Sequence, residues 1–192
     1  NTDRALDTAF TKEGQLFKVL VQREGDTEIQ YTRNGAFYLT PVGENELALV
    51  NGDGHFILDE NDNPIYINGE PTEINIDGEG RMTVALRGGA AVNFNLGVVK
   101  INNPQFLELK GDNLFGLPQN FAELNVDIAN VLTELTGPLR AEIGIQQGAL
   151  EQSNVDLAAE MTNLIQVQRA YQFQSRSITI ADQMSGLING IR

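Results

Sequence analysis

Residues 148–192 read GALEQSNVDLAAEMTNLIQVQRAYQFQSRSITIADQMSGLINGIR, and neither glycine nor proline interrupts them between Ala149 and Ser185. A run this free of helix breakers reads as one long helix. Ser153 supplies an N-cap and Asp156 answers it three residues on, so a capping box places the start between Gln152 and Val155. Asp156 and Glu160 then sit where the helix dipole favours carboxylates. Up to Gly186 the helix runs to roughly 30 residues, or about 45 Å, well beyond the ordinary globular helix.

Leu157, Leu164, Tyr171 and Ile178 recur every seven residues with Met161 beside them, which is the seam of a coiled coil. Ile165, Val167, Ala170, Phe173, Ile180, Met184 and Leu187 lie off that seam and make much of the circumference apolar. Such a helix expects several neighbours. Gln168 and Ser175 on the seam, with Asn163 and Arg169, are candidates for fixing register and subunit specificity through hydrogen bonds. The competing view is a core helix of the chain's own domain. It would need other helices to wrap it, and the preceding sequence offers one short helix, Asn120 to Leu135. A membrane-surface role lacks the Lys and Arg excess that anionic lipid requires, and no apolar run is long enough to span a bilayer.

Before the helix the chain changes character. From Gly14 to about Leu117, short alternating or β-branched runs are separated by turn dipeptides, which predicts an irregular antiparallel β-domain, with barrel-like closure as one arrangement. Asn34-Gly35, between IQYTR and AFYLT, is the strongest hairpin signal, because both central residues of a type I′ turn need positive φ. Further strands are expected at Leu16–Val21, Glu46–Val50, His55–Leu58, Ile65–Ile67, Met82–Leu86, Val92–Leu96 and Val98–Ile101, with a short one at Ala141–Ile145. The fold class is therefore mainly β with a long C-terminal helix. Residues 1–147 form the β-rich domain, with a short helix near 120–135, and residues 148–192 form an assembly helix.

Several blocks carry a family resemblance. Gly148–Glu151, Ser153–Asp156, Glu160-Met161 and Gln168–Tyr171 resemble the C-terminal signature of the bacterial flagellar rod and hook-basal-body proteins. Ala5–Phe10, Tyr31–Phe37 and Gly111–Phe115 resemble upstream blocks of the same family in the same order. The likeness is to rod proteins of the distal and proximal kind. It implies a structural, non-enzymatic subunit of the basal body whose partners are other copies of itself, other rod and hook proteins and the flagellar type III export apparatus, through which it is exported. It also implies that Leu157, Met161, Leu164, Ile165, Gln168, Arg169, Tyr171, Phe173, Ile178, Ile180 and Met184 form the assembly interface. Members of the family begin with an amphipathic helix that pairs with the C-terminal one in an inner domain around the axial channel. Asn1–Phe10 match the segment that follows that helix, so its absence here is expected of a fragment.

Composition narrows the other functions. A chain of 192 residues at 41% hydrophobic content can bury a core. Its net charge of −13 opposes nucleic acid, which is held by clustered Lys and Arg. The absence of cysteine removes disulfides, thiol nucleophiles and thiolate metal sites. Asp59, Asn61, Asn63 and Glu70 fall on positions of a calcium-loop template, but Pro64 stands where that loop needs glycine and the flanks read as strands. A single histidine, His55, and no nucleophile-elbow serine leave catalytic constellations without parts. Gly52-Asp53-Gly54 and Gly78-Glu79-Gly80 put carboxylates where a phosphate cradle needs none. No cofactor and no metal are expected. The alternative is a surface-tethered, adhesin-like or ligand-binding β-module, which requires a concave site on the β-domain.

Overall fold

A computed structural model of the chain describes residues 2, 4–23, 26–118, 126–150, 161–162 and 164–175. It divides into two compact units, Asn1–Glu151 and Gln152–Arg192.

The first unit is built from strands β1 (Asp7–Phe10), β2 (Gln15–Arg23), β3 (Asp26–Thr32), β4 (Gly35–Ala36), β5 (Tyr38–Pro41), β6 (Glu46–Val50), β7 (Phe56–Ile57) and β8 (Tyr66–Asn68). There follow β9 (Pro71–Ile76), β10 (Arg81–Leu86), β11 (Ala91–Asn95), β12 (Val98–Ile101), β13 (Glu108–Gly111), β14 (Leu114–Gly116), β15 (Leu132–Glu134) and β16 (Ile145–Gln147), with a one-turn helix α1 (Ile128–Val131) before β15. The largest sheet runs β13-β14-β3-β2-β7-β6-β5, and two three-stranded sheets run β11-β10-β9 and β16-β1-β4. Every pairing between these strands is antiparallel.

Strand β2 organises the unit. It is buried on both faces over most of its length, and the middle of its sequence, Leu16–Val21, is apolar except at Lys18. Phe17, Val19 and Val21 enter the main core, where Phe17 stacks on Phe10 at 4.2 Å and meets Phe37 edge-on at 5.0 Å. Leu16 belongs to a smaller cluster with Tyr31, Val99 and Leu132. Lys18, also inside, carries its ammonium outward to Asp62 and to the Glu60 carbonyl at 3.3 Å, with Glu134 at 3.7 Å. A β-carbon on Gly97 would overlap the Asp59 carbonyl oxygen and crowd the end of the Lys18 side chain, so glycine is required there.

Four expectations are corrected. Among the described residues the sheets are open and form no closed barrel. Closure would join terminal strands β13 and β5, and these carry a register shift between Leu109 and Gly111 and the donor-less Pro41 respectively. Asn34-Gly35 makes no hairpin: β3 pairs with β2 and β14, while β4 crosses to β1. Tertiary packing overrides the turn chemistry there, because Gly35 lies against the Thr8 backbone so closely that any β-carbon would overlap the Thr8 carbonyl oxygen. The Asn34 carboxamide instead accepts from the Ala36 amide at 3.1 Å. Among non-glycine residues, two consecutive positive φ values occur at Asp112-Asn113, at 50° and 59°, in the turn joining β13 to β14. Within the expected helix at 120–135, the described residues are helical over Ile128–Val131 alone, under an Asp127 N-cap. Leu132–Glu134 then extend because Leu132 pairs with Ile101 in the sheet. The expected strand at Ala141–Ile145 is displaced to Ile145–Gln147, behind a 3₁₀ segment at Gly137–Glu142.

Candidate functional site

In the second unit, residues 161–162 and 164–175 are helical and each is exposed. Along the heptad seam, Met161, Leu164 and Tyr171 stand 62%, 57% and 74% open, and Gln168 lies between the last two. Ile165, Val167 and Phe173 expose apolar side chains on other faces, and Arg169 is exposed with them. Exposed apolar surface of this extent on one helix is more than a soluble monomer ordinarily shows. Leu157, Ile178, Ile180 and Met184 lie outside the described residues, as do the Ser153/Asp156 capping box, Asn163 and the end at Gly186. No described helix is long and apolar enough to cross a membrane.

The first unit holds the chain on either side of its own ends in one place. Strand β1 pairs with β16 through Thr8–Gln147, Ala9–Gln146 and Phe10–Ile145. Beyond that ladder the Gly148 amide donates to the Asp7 carbonyl at 2.7 Å, and the Thr2 amide donates to the Gly148 carbonyl at 2.6 Å. Gln147 acts as a brace. Its Nε2 donates to the carbonyls of Ala5 and Ile74, at 2.7 and 3.0 Å, while its Oε1 accepts from the Ile76 amide at 3.2 Å. One side-chain amide thereby supplies β9 with the donor and acceptor that a neighbouring strand would.

Two arginines complete the frame. Arg4 donates to the Phe37 carbonyl at 2.8 Å, lies 4.3 Å above the Tyr38 ring and pairs with the buried Asp7. Arg140, buried in the 3₁₀ segment, donates to the Glu79 and Leu96 carbonyls at 2.7 and 3.2 Å. Burial lowers its pKa and the nearby Glu60 opposes that shift. Periodicity could not have found these contacts, since β1 and β16 are short and lie more than a hundred residues apart.

The remaining sequence candidates have local tasks. Asp59 Oδ1 accepts from the amides of Asn61 and Asn63 at 2.8 and 2.9 Å, and Glu70 pairs with Arg87, so the calcium-template residues fold a turn and tie a hairpin. His55 donates its backbone amide to Asn51 Oδ1 at 2.9 Å in a similar turn. A groove of about 810 Å³ lies along β9, lined by Leu6, Leu39, Pro71, Ile74 and Gln147 among others. The Gln147 amide facing it is already engaged by the backbone.

Comparison with known proteins matches residues 146–191 to the family described as flagellar basal body rod FlgEFG protein C-terminal, and residues 13–84 to the flagellar hook protein FlgE/F/G D1 domain. The chain is 47% identical to the flagellar hook-basal body complex protein FlhP of Bacillus subtilis, over 100% of the chain and 66% of that protein. It is 34% identical to the flagellar basal-body rod protein FlgG of Buchnera aphidicola from Acyrthosiphon pisum, over 95% of the chain and 64% of that protein. With FlgF of Rhizobium meliloti the identity is 31%, over 73% of the chain and 49% of the relative. The chain thus spans just under two thirds of the length of the first two relatives.

Proposed function

The chain belongs to the flagellar basal-body rod and hook protein family, and from that premise we propose that it is a structural subunit of the rod or hook-basal body, polymerising into a helical axial tube. In this reading residues 1–147 form the outer or middle layer. Residues 148–192 form half of an inner coiled coil, which a partner helix completes. Heterologous contacts between neighbouring copies extend the tube, since a head-to-tail interface that does not close makes a filament. The subunit makes polymer and carries out no reaction. It sits outside the cytoplasm, is delivered through the flagellar type III apparatus, and contacts other rod and hook proteins.

The observation that carries the reading is the exposed apolar seam of Met161, Leu164 and Tyr171 inside the segment that matches the rod C-terminal family. Fully burying side chains such as Leu164 and Ile165 against neighbours yields roughly 1.5–3 kcal/mol each, a contribution set against the ordering that association demands. The adjacency of Thr2 and Gly148 supports the inner-domain element, because a helix preceding residue 2 would end beside the chain that leads to the C-terminal segment. The relatives named above are flagellar components and lend nothing to the alternative of a ligand-binding module.

The test is Leu164→Asp and Ile178→Asp in the full-length protein of a motile strain. Both variants are expected to keep the β-unit folded, to be exported, and to fail to enter purified basal bodies, with loss of swimming. Normal swimming and normal incorporation of either variant would overturn the reading.

A further inference from the structure

Strand β11, Ala91-Val92-Asn93-Phe94-Asn95, is the outermost strand of its sheet. Sheet edges are ordinarily blunted by charge, proline or brevity. Here β13 carries Glu108 and Lys110, β9 carries Pro71 and Glu73, β5 ends in Pro41, and β16, β4 and β8 have three residues or fewer. Among the described terminal strands, β11 alone combines five residues with no charge and no proline. That is unusual in a chain of net charge −13.

The ladder fixes which backbone groups face outward. The Leu86 amide donates to the Ala90 carbonyl and the Leu96 amide to the Gly80 carbonyl, so the hydrogen-bonded pairs with β10 are Val84–Val92 and Met82–Phe94. Ala91, Asn93 and Asn95 therefore turn their amides and carbonyls away from β10. The Glu60 amide donates to the Asn95 carbonyl at 3.0 Å and closes that end of the edge. Ala91 and Asn93 are left with four outward backbone groups that no described residue meets. Val92 and Phe94 pack toward the core, and the hairpin tip at Gly88-Gly89 stands in open space.

We propose that β11 pairs antiparallel with β11 of a second copy about a two-fold axis at Val92, forming a continuous six-stranded sheet. This register matches Ala91 of each copy with Asn93 of the other, so all four outward groups bond at once. Val92 then faces Val92 of the second copy in the close, non-hydrogen-bonded position that suits β-branched pairs. In this register Gly89 of the second copy falls opposite Asn95, whose carbonyl already accepts from the Glu60 amide. A second copy is the fitting occupant because a two-fold contact sets residues against themselves or near neighbours, and here none is charged. The rest of the surface repels its like, so the dimer strengthens as salt screens that repulsion. The contact is small beside a standard interface, and it populates at about 0.1–1 mM protein. It is closed, unlike the open contacts of a tube, and does not depend on the rod reading.

The chain has no cysteine, so Val92→Cys gives a clean test. The pair geometry brings the two α-carbons to about 4.5 Å, within reach of a disulfide. In the full chain at 0.5 M salt, on the order of that needed to collapse the Debye length to a few ångström, Val92→Cys is expected to cross-link at least about tenfold faster than Leu109→Cys on β13. Asn93→Pro removes one outward donor and leaves the β10 pairing intact. Placed in the Val92→Cys background, it is expected to return cross-linking to the control rate with an unchanged far-UV spectrum. Equal rates for Val92→Cys and Leu109→Cys would overturn the proposal, and so would an Asn93→Pro variant that is folded and still cross-links rapidly. Should Asn93→Pro unfold, the comparison of the two single-cysteine variants decides the matter alone.

Discussion

Phe17, Val19 and Val21 on β2 are wholly enclosed by the same chain, whereas Leu164, Val167 and Tyr171 on the C-terminal helical segment stand open to solvent. Charge divides along the same line. Residues 1–151 hold 10 Lys and Arg against 23 Asp and Glu, and residues 152–192 hold 3 against 3, so the whole net charge of −13 belongs to the β-unit. A surface charged in this way stays dispersed, while a neutral apolar helix seeks partners. The two regions place similar residues differently: β2 buries them within one molecule, and the described helix leaves them in solvent, where the proposed assembly would use them.

The contrast is sharpest at Phe17. Phe17→Ala empties a site packed by Phe10 and Phe37 and is expected to cost about 3–5 kcal/mol in urea unfolding of the β-unit. A loss below about 1 kcal/mol would show that β2 is not the centre of the core. Gly35→Ala comes next. Its β-carbon would overlap the Thr8 carbonyl oxygen, and separating β4 from β1 to relieve the overlap is expected to cost about 3 kcal/mol.

Gly35 also shows where the sequence ceases to be legible. Asn34-Gly35 has the local chemistry of a hairpin, but the glycine is needed for close approach to β1, a fact that only the tertiary structure holds. Asp112-Asn113 makes the type I′ turn with no glycine at either central position. Long alternating or apolar runs were readable, as β6 and β12 appear at their expected bounds of Glu46–Val50 and Val98–Ile101. Strands without such a run were not: β1, β4 and β16 (DTAF, GA and IQQ) lack alternation and exist because their partners are already in place. The mixed pattern of Ile128–Leu135 divides between α1 and β15 because Leu132 finds a partner on β12. Of the seven-residue repeat in the proposed assembly surface, Leu164 and Tyr171 lie in described helix, while the brace at Gln147 carried no local signal at all.

A smaller effect separates the regions by pH. Tyr31 is buried, and its hydroxyl is pushed up from 10.0 to about 12, first by burial and then by Glu134 and Asp62. Because the folded state favours the neutral phenol, this contribution is fully present below pH 10 and disappears as pH rises from about 10 to about 12. A shift of about two units corresponds to about 2–3 kcal/mol. The wild-type β-unit is expected to lose that much in this window, and Tyr31→Phe is expected to flatten that part of the profile. Identical alkaline profiles for the two proteins would remove Tyr31 from the account.

The least effect on stability is expected where the effect on assembly is greatest. Leu164 stands 57% exposed, so Leu164→Ala removes little burial from the isolated chain, and its urea midpoint should stay within about 0.5 kcal/mol of the wild type. The same substitution at an assembled interface would open a cavity and cost about 2–5 kcal/mol per subunit. Measuring Leu164→Ala both in the isolated chain and in reconstituted filaments therefore separates two explanations of the seam. A large loss in the isolated chain would mean that the helix is already packed, and the contrast with β2 would fail. A neutral monomer with filaments that no longer form places the apolar surface of Leu164 in service between molecules.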